Sequence, residues 1–282
     1  MIGFRVALDL GRVSNLPTVW TNVLAGIMLS GATGDARVFA ATLLSMSLMY
    51  VAGMFLNDAF DADIDARQRP GRPIPSGRVA TRTVFAYGYA MLGLGLLLMA
   101  SMGVAAFGAA ALLAALVVFY NYHHKANPYS PLVMGMCRML TYIASAFAAT
   151  GSARLPAPVL QGALVLLAYL IGLTYVAKQE DKGRLGKLWP VAGVACPLAA
   201  ACLLMPVSGW TVLCLVLSAA WTVHCLLLVR AGNMRHAVGG LIAGISLADA
   251  LAFSFMGWSP QLALASAAFL LTLVLQRKIA GT

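Results

Sequence analysis

The sequence predicts an all-α fold: a polytopic membrane bundle of nine to ten transmembrane helices, forming one domain over residues 1–282. Three observations carry this expectation. Hydrophobic residues make up 61% of the chain, charged residues only 10%, and the mean hydropathy is +0.86, a composition outside the range of soluble domains. Ten apolar stretches reach the length of about 20 residues that a helical span requires, near 14–33, 38–57, 83–102, 104–121, 131–150, 158–177, 189–206, 210–230, 238–257 and 260–276. Finally, no alternating pattern of the barrel type appears, which argues against closed β-structure.

Charge placement tests the span count independently. With ten spans, Arg37 and Arg154 fall on one side and Arg138 within a span, while the rest of the nineteen Lys and Arg residues share the side of both termini. The positive-inside rule then puts both termini in the cytoplasm, and the cell inner membrane is the expected location. The net charge of +10 does not point to nucleic acid, because the basic residues are spread over short loops between spans. They suit orientation, anionic lipid of the surrounding bilayer, or an anionic substrate. The five cysteines are scattered within spans without ligand spacing and read as small core residues.

Taken in order, residues Met1–Val13 read as an interfacial lead-in helix. The first span carries Asn15 and Asn22 on one face, seven residues apart, with interhelical packing and substrate contact both open, and Trp20 is a candidate cavity wall. The second span runs into N-D-A-F-D-A-D-I-D, residues 57–65. If that run stays helical, Asn57, Asp61 and Asp65 fall at i, i+4 and i+8 with Asp58 beside them, on one face, and Asp63 points elsewhere. Carboxylates one turn apart repel, and a hard divalent cation such as Mg²⁺, which takes oxygen ligands and completes its shell with substrate phosphate, relieves them. The loop A-R-Q-R-P-G-R-P-I-P-S-G-R-V follows, residues 66–79; its prolines and glycines stop the helix. Its arginines, Arg72 and Arg78 among them, can fork onto phosphate oxygens beside the metal face, making a diphosphate clamp.

The next cytoplasmic loop, residues 119–131, offers Lys125 for a phosphate and the π face of Tyr120 for a cation. Arg138, within the fifth span, must find an anion, either a substrate phosphate or one of the acids. The third loop, residues 175–190, holds Glu180 and Asp181, which supply either a second metal site or a plain charged turn. Asp249 is deep in a predicted span and needs a partner; Ser246 is one candidate, and lining the cavity or bonding a neighbouring helix are both open. Gly240 and Gly244 form a small-xxx-small packing pair.

These residues resemble the UbiA-type intramembrane prenyltransferases. Asn57, Asp58, Asp61 and Asp65 meet that family's first motif, N-D-x-x-D-x-x-x-D, in full. The R-P-I-P-S-G-R segment at 72–78, the Tyr120 to Lys125 segment and the G-M-C-R run ending at Arg138 are also similar to it. The combination further resembles a UbiA-like branch labelled EboC. The resemblance implies a bundle of about nine spans whose cavity opens laterally to lipid, with two Asp-rich motifs holding Mg²⁺ against an isoprenyl diphosphate. The second motif departs: registering on Leu185–Gly186 puts Lys178 and Lys182 where its aspartates belong, with Glu180 and Asp181 between. The implied reaction transfers an isoprenyl group from its diphosphate to an aromatic or other hydrophobic acceptor. Metal is expected at Asn57, Asp58, Asp61, Asp65, Glu180 and Asp181; catalysis at Asp61, Arg72, Tyr120, Lys125 and Lys178; and substrate contacts at Asn15, Asn22, Arg78, Arg138 and Lys182. The altered motif favours one alternative, a non-catalytic relative that binds or moves a lipid diphosphate or hydrophobic precursor. Intramembrane acids, which can relay ions, raise a third class, an ion-coupled transporter, against which the acids cluster at one cytoplasmic rim. Acceptor, chain length and oligomeric state are not encoded legibly.

Overall fold

A computed structural model describes residues 2–32, 35–125, 127–179, 186–204, 206–254, 259–279 and 281. Among them the fold is all-helical, without strands. A short helix α1 (Phe4–Leu10) and a 3-10 turn (Val13–Asn15) lead into α2 (Leu16–Leu29), α3 (Ala36–Phe60) and the short α4 (Ala62–Gln68). Then follow α5 (Thr81–Ala100), α6 (Val104–His123), α7 (Ser130–Thr150), α8 (Ala157–Ala177), α9 (Trp189–Leu204), α10 (Gly209–Arg230), α11 (Met234–Ser254) and α12 (Pro260–Gln276).

Each of the ten apolar stretches thus became one helix. Seven of these, α3, α5, α6, α7, α8, α10 and α11, are long and apolar enough to cross a membrane; α9 and α12 are apolar but shorter. Helix α2 has 14 residues, which at 1.5 Å per residue extend only about 21 Å. The count of nine to ten full-length spans therefore meets seven by length and composition. The predicted hairpin at 102–104 is present, turning on Gly103 at φ 113°, a conformation that glycine tolerates without strain. The second predicted hairpin, at 257–260, falls largely outside the described residues.

Helix α2 sits inside the bundle, touching α3, α7, α8, α11 and α12. Close approach to α7 depends on Gly26, where an added Cβ would lie 2.4 Å from the Tyr142 carbonyl oxygen. Two large apolar clusters result, beside a smaller one of Leu10, Phe55, Ala59, Val79 and Val84. One joins α2, α3, α5, α6 and α7 through residues such as Met46, Met49, Leu92 and Leu113; the other joins α7 to α12 through Tyr169, Leu241, Ile245 and Phe253. Gly240 and Gly244 pack as expected, against Cys225 of α10 and the Tyr169 hydroxyl of α8. Large apolar side chains such as Leu97, Val216 and Leu270 face outward, as a lipid-facing surface requires.

Candidate active site

The acidic stretch is not one straight helix. Helix α3 ends at Phe60, Asp61 caps it at φ −86° and ψ 0°, and α4 restarts at Ala62. No proline or glycine forces this break. The break falls between Asp58 and Asp65, which share Arg72, and Asp61, which turns to Lys125 and His124, so the expectation of one straight helix with i, i+4 and i+8 spacing is corrected in backbone. The four side chains nevertheless come together: Asn57, Asp58, Asp61 and Asp65 are 8%, 6%, 4% and 3% exposed, and Asp63 is exposed.

Buried carboxylates need partners, and here cations supply them. Arg72 Nη1 donates to Asp58 Oδ1 at 3.1 Å and to Asp65 Oδ2 at 2.9 Å. Arg12 Nη2 donates to the same Asp58 oxygen and to Asn57 Oδ1, both at 3.1 Å. Lys125 Nζ lies 3.1 Å from Asp61 Oδ2, with His124 Nε2 at 3.5 Å. Burial pushes the Asp61 carboxyl up, but His124 and Lys125 outweigh it and hold it below the usual carboxylate value. Asn121, itself on the cavity, braces the wall, accepting from Asn57 Nδ2 at 3.2 Å and donating to the Gly53 carbonyl at 3.0 Å.

This wall borders a cavity of about 380 Å³. Asn57, Asp61, Asp65, Arg72, Tyr120, Lys125 and Lys178 line it with Arg12 and Asn15, while Val19, Met46, Met49 and Ile245 contribute an apolar side and Arg138 a further cation. Tyr120 stacks on His124 with ring centroids 5.0 Å apart. Lys178, just past α8, donates to the Asn127 carbonyl at 3.0 Å and to Ser130 Oγ at 2.6 Å, and burial lowers its ammonium pKa.

Other expectations meet a different arrangement. Asp58 lies behind the wall, between Arg12 and Arg72, and is not a lining residue. Asn22 is fully buried between Arg138 and Asp249, and Arg78 is exposed, bonding Ser76 and the Gly71 carbonyl within its own loop; neither reaches the cavity wall. Trp20 faces outward at 37% exposure, its indole N–H donating to Ser47. Asp249 does not pair with Ser246, which contacts Thr21, but accepts from Asn22 and Tyr142. Arg138 contacts none of the acids directly, donating instead to Asn22 and Thr18. Glu180, Asp181 and Lys182 lie outside the described residues.

Sequence reasoning missed Arg12, Asn121 and His124 as parts of the wall. The signal that could have found Arg12 is energetic: Asp58 in a buried cluster requires more cations than one loop provides. The backbone of Arg12 lies in the left-handed region at φ 42°, a strained setting held by its contacts.

Among the described residues, no three His, Cys, Asp or Glu side chains converge as a ready metal site. The donor chemistry still fits a hard divalent ion. Mg²⁺ uses one or two carboxylates and completes its shell with water and phosphate, and Asn57, Asp61 and Asp65 present amide and carboxylate oxygens to the cavity.

Comparison with known proteins shows the family and the fold. The sequence pattern described as the UbiA prenyltransferase family matches residues 18–187. The chain is 32% identical over 240 residues to the digeranylgeranylglyceryl phosphate synthase of Methanopyrus kandleri, covering 77% of this chain and 85% of that protein. It is 37% identical over 117 residues to the Ignicoccus hospitalis protein of the same name, covering 42% and 38%. The fold is similar to that of a UbiA homolog from Aeropyrum pernix K1, with TM-score 0.69 at 19% identity over 87% of this chain and 98% of that one. It is also similar to that of a UbiA homolog from Archaeoglobus fulgidus bound to GPP and Mg²⁺, with TM-score 0.55 at 14% identity over 95% and 96%. With its long apolar helices and this match, the chain is an integral membrane protein and belongs to the UbiA prenyltransferase family.

Proposed function

We propose that this protein transfers an isoprenyl group from an isoprenyl diphosphate to a hydrophobic or aromatic acceptor within the membrane, dependent on Mg²⁺. The observation that carries this reading is the wall of Asn57, Asp61 and Asp65 on one cavity, with Arg72 and Lys125 reaching it from separate elements. Relatives named digeranylgeranylglyceryl phosphate synthase, and UbiA homolog structures with GPP or DMAPP and Mg²⁺, support it.

In this reading Asn57, Asp61 and Asp65, backed by Asp58, hold Mg²⁺. The ion neutralises charge on the leaving diphosphate. Arg72 and Lys125 turn from the carboxylates to diphosphate oxygens and Lys178 adds positive charge from the end of α8; by sequence alone, Lys182 would add charge and Glu180 or Asp181 would serve a second ion. Donors already in position cost little reorganisation as the C–O bond breaks. The apolar side of the cavity excludes water from the allylic cation, Tyr120 offers it a π face, and Asn15 and Arg138 contact the substrates. The whole chain acts as one domain, and the ten apolar helices are its membrane elements. Both termini and the acidic face are cytoplasmic, at the cell inner membrane.

A second reading, a non-catalytic relative that binds a lipid diphosphate, is favoured by one feature: Lys178 on the cavity wall is an ammonium, which cannot ligate a metal. Pyrophosphate release, measured across donors of increasing length with a panel of acceptors, separates the two. Turnover abolished by Asp61→Ala supports transfer; Mg²⁺-dependent donor binding without release from any combination supports the second reading.

A further inference from the structure

The cavity carries a second polar feature that the acidic wall does not explain. Arg138 lies on its lining, with its guanidinium carbon 5.3 Å from the centroid of the Tyr50 ring. Tyr50 precedes Asn57 by seven residues on α3, so this cation sits about 10 Å further along the helix than the start of the acidic wall. Among the described residues no carboxylate is within ion-pair distance of it. Its contacts are neutral oxygens: Nη1 donates to Asn22 Oδ1 at 2.8 Å and Nη2 to Thr18 Oγ1 at 3.1 Å. The countercharge stands one residue further back. Asp249, fully buried on α11, accepts from Asn22 Nδ2 at 2.9 Å through Oδ2 and from the Tyr142 hydroxyl through Oδ1.

This arrangement fixes the Asn22 amide. Flipping it would turn its NH₂ towards the guanidinium donors and its carbonyl towards the carboxylate, losing both bonds and creating two repulsions. A direct Asp–Arg pair would neutralise the cation at the wall. The interposed amide instead keeps the charges apart while α2, α7 and α11 are tied together. A guanidinium on a partly apolar cavity wall, at a distance from the diphosphate face, suits an oxyanion brought by the second substrate.

We propose that Asp249 is a positioning residue: acting through Asn22, it holds Arg138 on the cavity wall to receive the phosphate or carboxylate of an anionic acceptor. The inference rests on the transferase reading for the word acceptor, but its geometry does not. The test uses the full chain in detergent, with binding as the readout. Octyl phosphate, octanoate and octanol are titrated in the presence of Mg²⁺ and geranyl thiodiphosphate, an unreactive donor analogue, whose own affinity is measured separately. The unsubstituted chain is expected to prefer at least one of the two anions over octanol by tenfold or more. Asp249→Asn is expected to lose that preference while leaving the affinity for the donor analogue unchanged. The paired exchange Asn22→Asp with Asp249→Asn, which returns a carboxylate to the same chain of bonds, is expected to restore it. Tyr142→Phe removes a hydrogen bond but no charge and is expected to keep it. No preference in the unsubstituted chain, a preference that survives Asp249→Asn, or equal loss in Tyr142→Phe would overturn the proposal. Should Asp249→Asn alone fail to fold, the paired exchange decides: a folded protein without the preference overturns it. Failure of the donor analogue to bind would count against the transferase reading, and the anion titration repeated without the analogue would still test Asp249.

Discussion

Replacing Arg72 by alanine removes one cation from two carboxylates at once, and the structure indicates how much that should cost. Arg72 is 17% exposed at the side chain, Asp58 8% and Asp65 4%, so little solvent screens the contacts. Asp58 keeps Arg12 at 3.1 Å, and the net loss is mainly the 2.9 Å bond to Asp65. A hydrogen bond to a charged group contributes about 2 kcal/mol. The same interaction opposes a metal ion, because Arg72 occupies carboxylate oxygens that an incoming Mg²⁺ would use. At 1.4 kcal/mol per factor of ten, Arg72→Ala should be less stable without metal yet bind Mg²⁺ about 30-fold more tightly in the absence of diphosphate. Thermal melting in detergent, across a Mg²⁺ titration and in chelator, measures both effects. The variant should melt below the unsubstituted protein in chelator, and the gap should close as Mg²⁺ is added. A gap of constant size would mean that Arg72 only packs the loop, and weaker Mg²⁺ binding in the variant would mean that it assists the ion instead of competing. Either result refutes the reasoning.

The remaining predictions concern single positions. Asp61→Asn should reduce pyrophosphate release by about 100-fold or more, the scale on which a preorganised charge acts on a transition state, and should also lower melting in chelator at neutral pH, because the depressed carboxyl pKa marks stabilisation by His124 and Lys125. Lys178→Ala should lower turnover about tenfold or more with only a small drop in melting, since the Lys178 side chain is itself exposed although one of its partners, Ser130 Oγ, is buried at the start of α7; steady-state release and a melting curve check the two halves. Gly26→Ala should destabilise by about 1–3 kcal/mol, because the new methyl meets the Tyr142 carbonyl at 2.4 Å and α2 must move off α7. Its loss should appear in melting and in weakened acceptor binding together, as Tyr142 and Arg138 share α7.

What the sequence makes legible is what depends on neighbours along the chain. Helices form where apolar runs are long enough, and ten stretches found by that criterion coincide with ten helices to within a few residues at most ends. The first motif was legible for the same reason, since Asn57 to Asp65 needs only local spacing to converge. Partners that come from elsewhere were not. Arg12 is 46 positions from Asp58, and its charge already had a sufficient explanation in topology. Asn22 and Asp249 are 227 positions apart, so the sequence left Ser246, one turn away on α11, and a bond to a neighbouring helix both open and could not name the partner on α2. The break at Asp61 was illegible because no residue there disfavours a helix; contacts to Arg72 on one side and Lys125 on the other accompany it.

The distribution of charge argues for an order of events in the proposed reaction. Arg12, Arg72 and Lys125 sit on the very oxygens that the ion requires. An ion arriving alone would release these cations into a confined space without partners, which burial makes costly. A diphosphate arriving alone would meet the carboxylates and be repelled. With both present, Asn57, Asp61 and Asp65 would hold the ion, and the guanidinium and ammonium groups freed from them would turn to the diphosphate. The wall is thus balanced in the metal-free protein, and with both ligands it would come nearer to balance than in either half-loaded state. Binding of ion and diphosphate should therefore be mutually dependent, each raising the affinity for the other by the same factor.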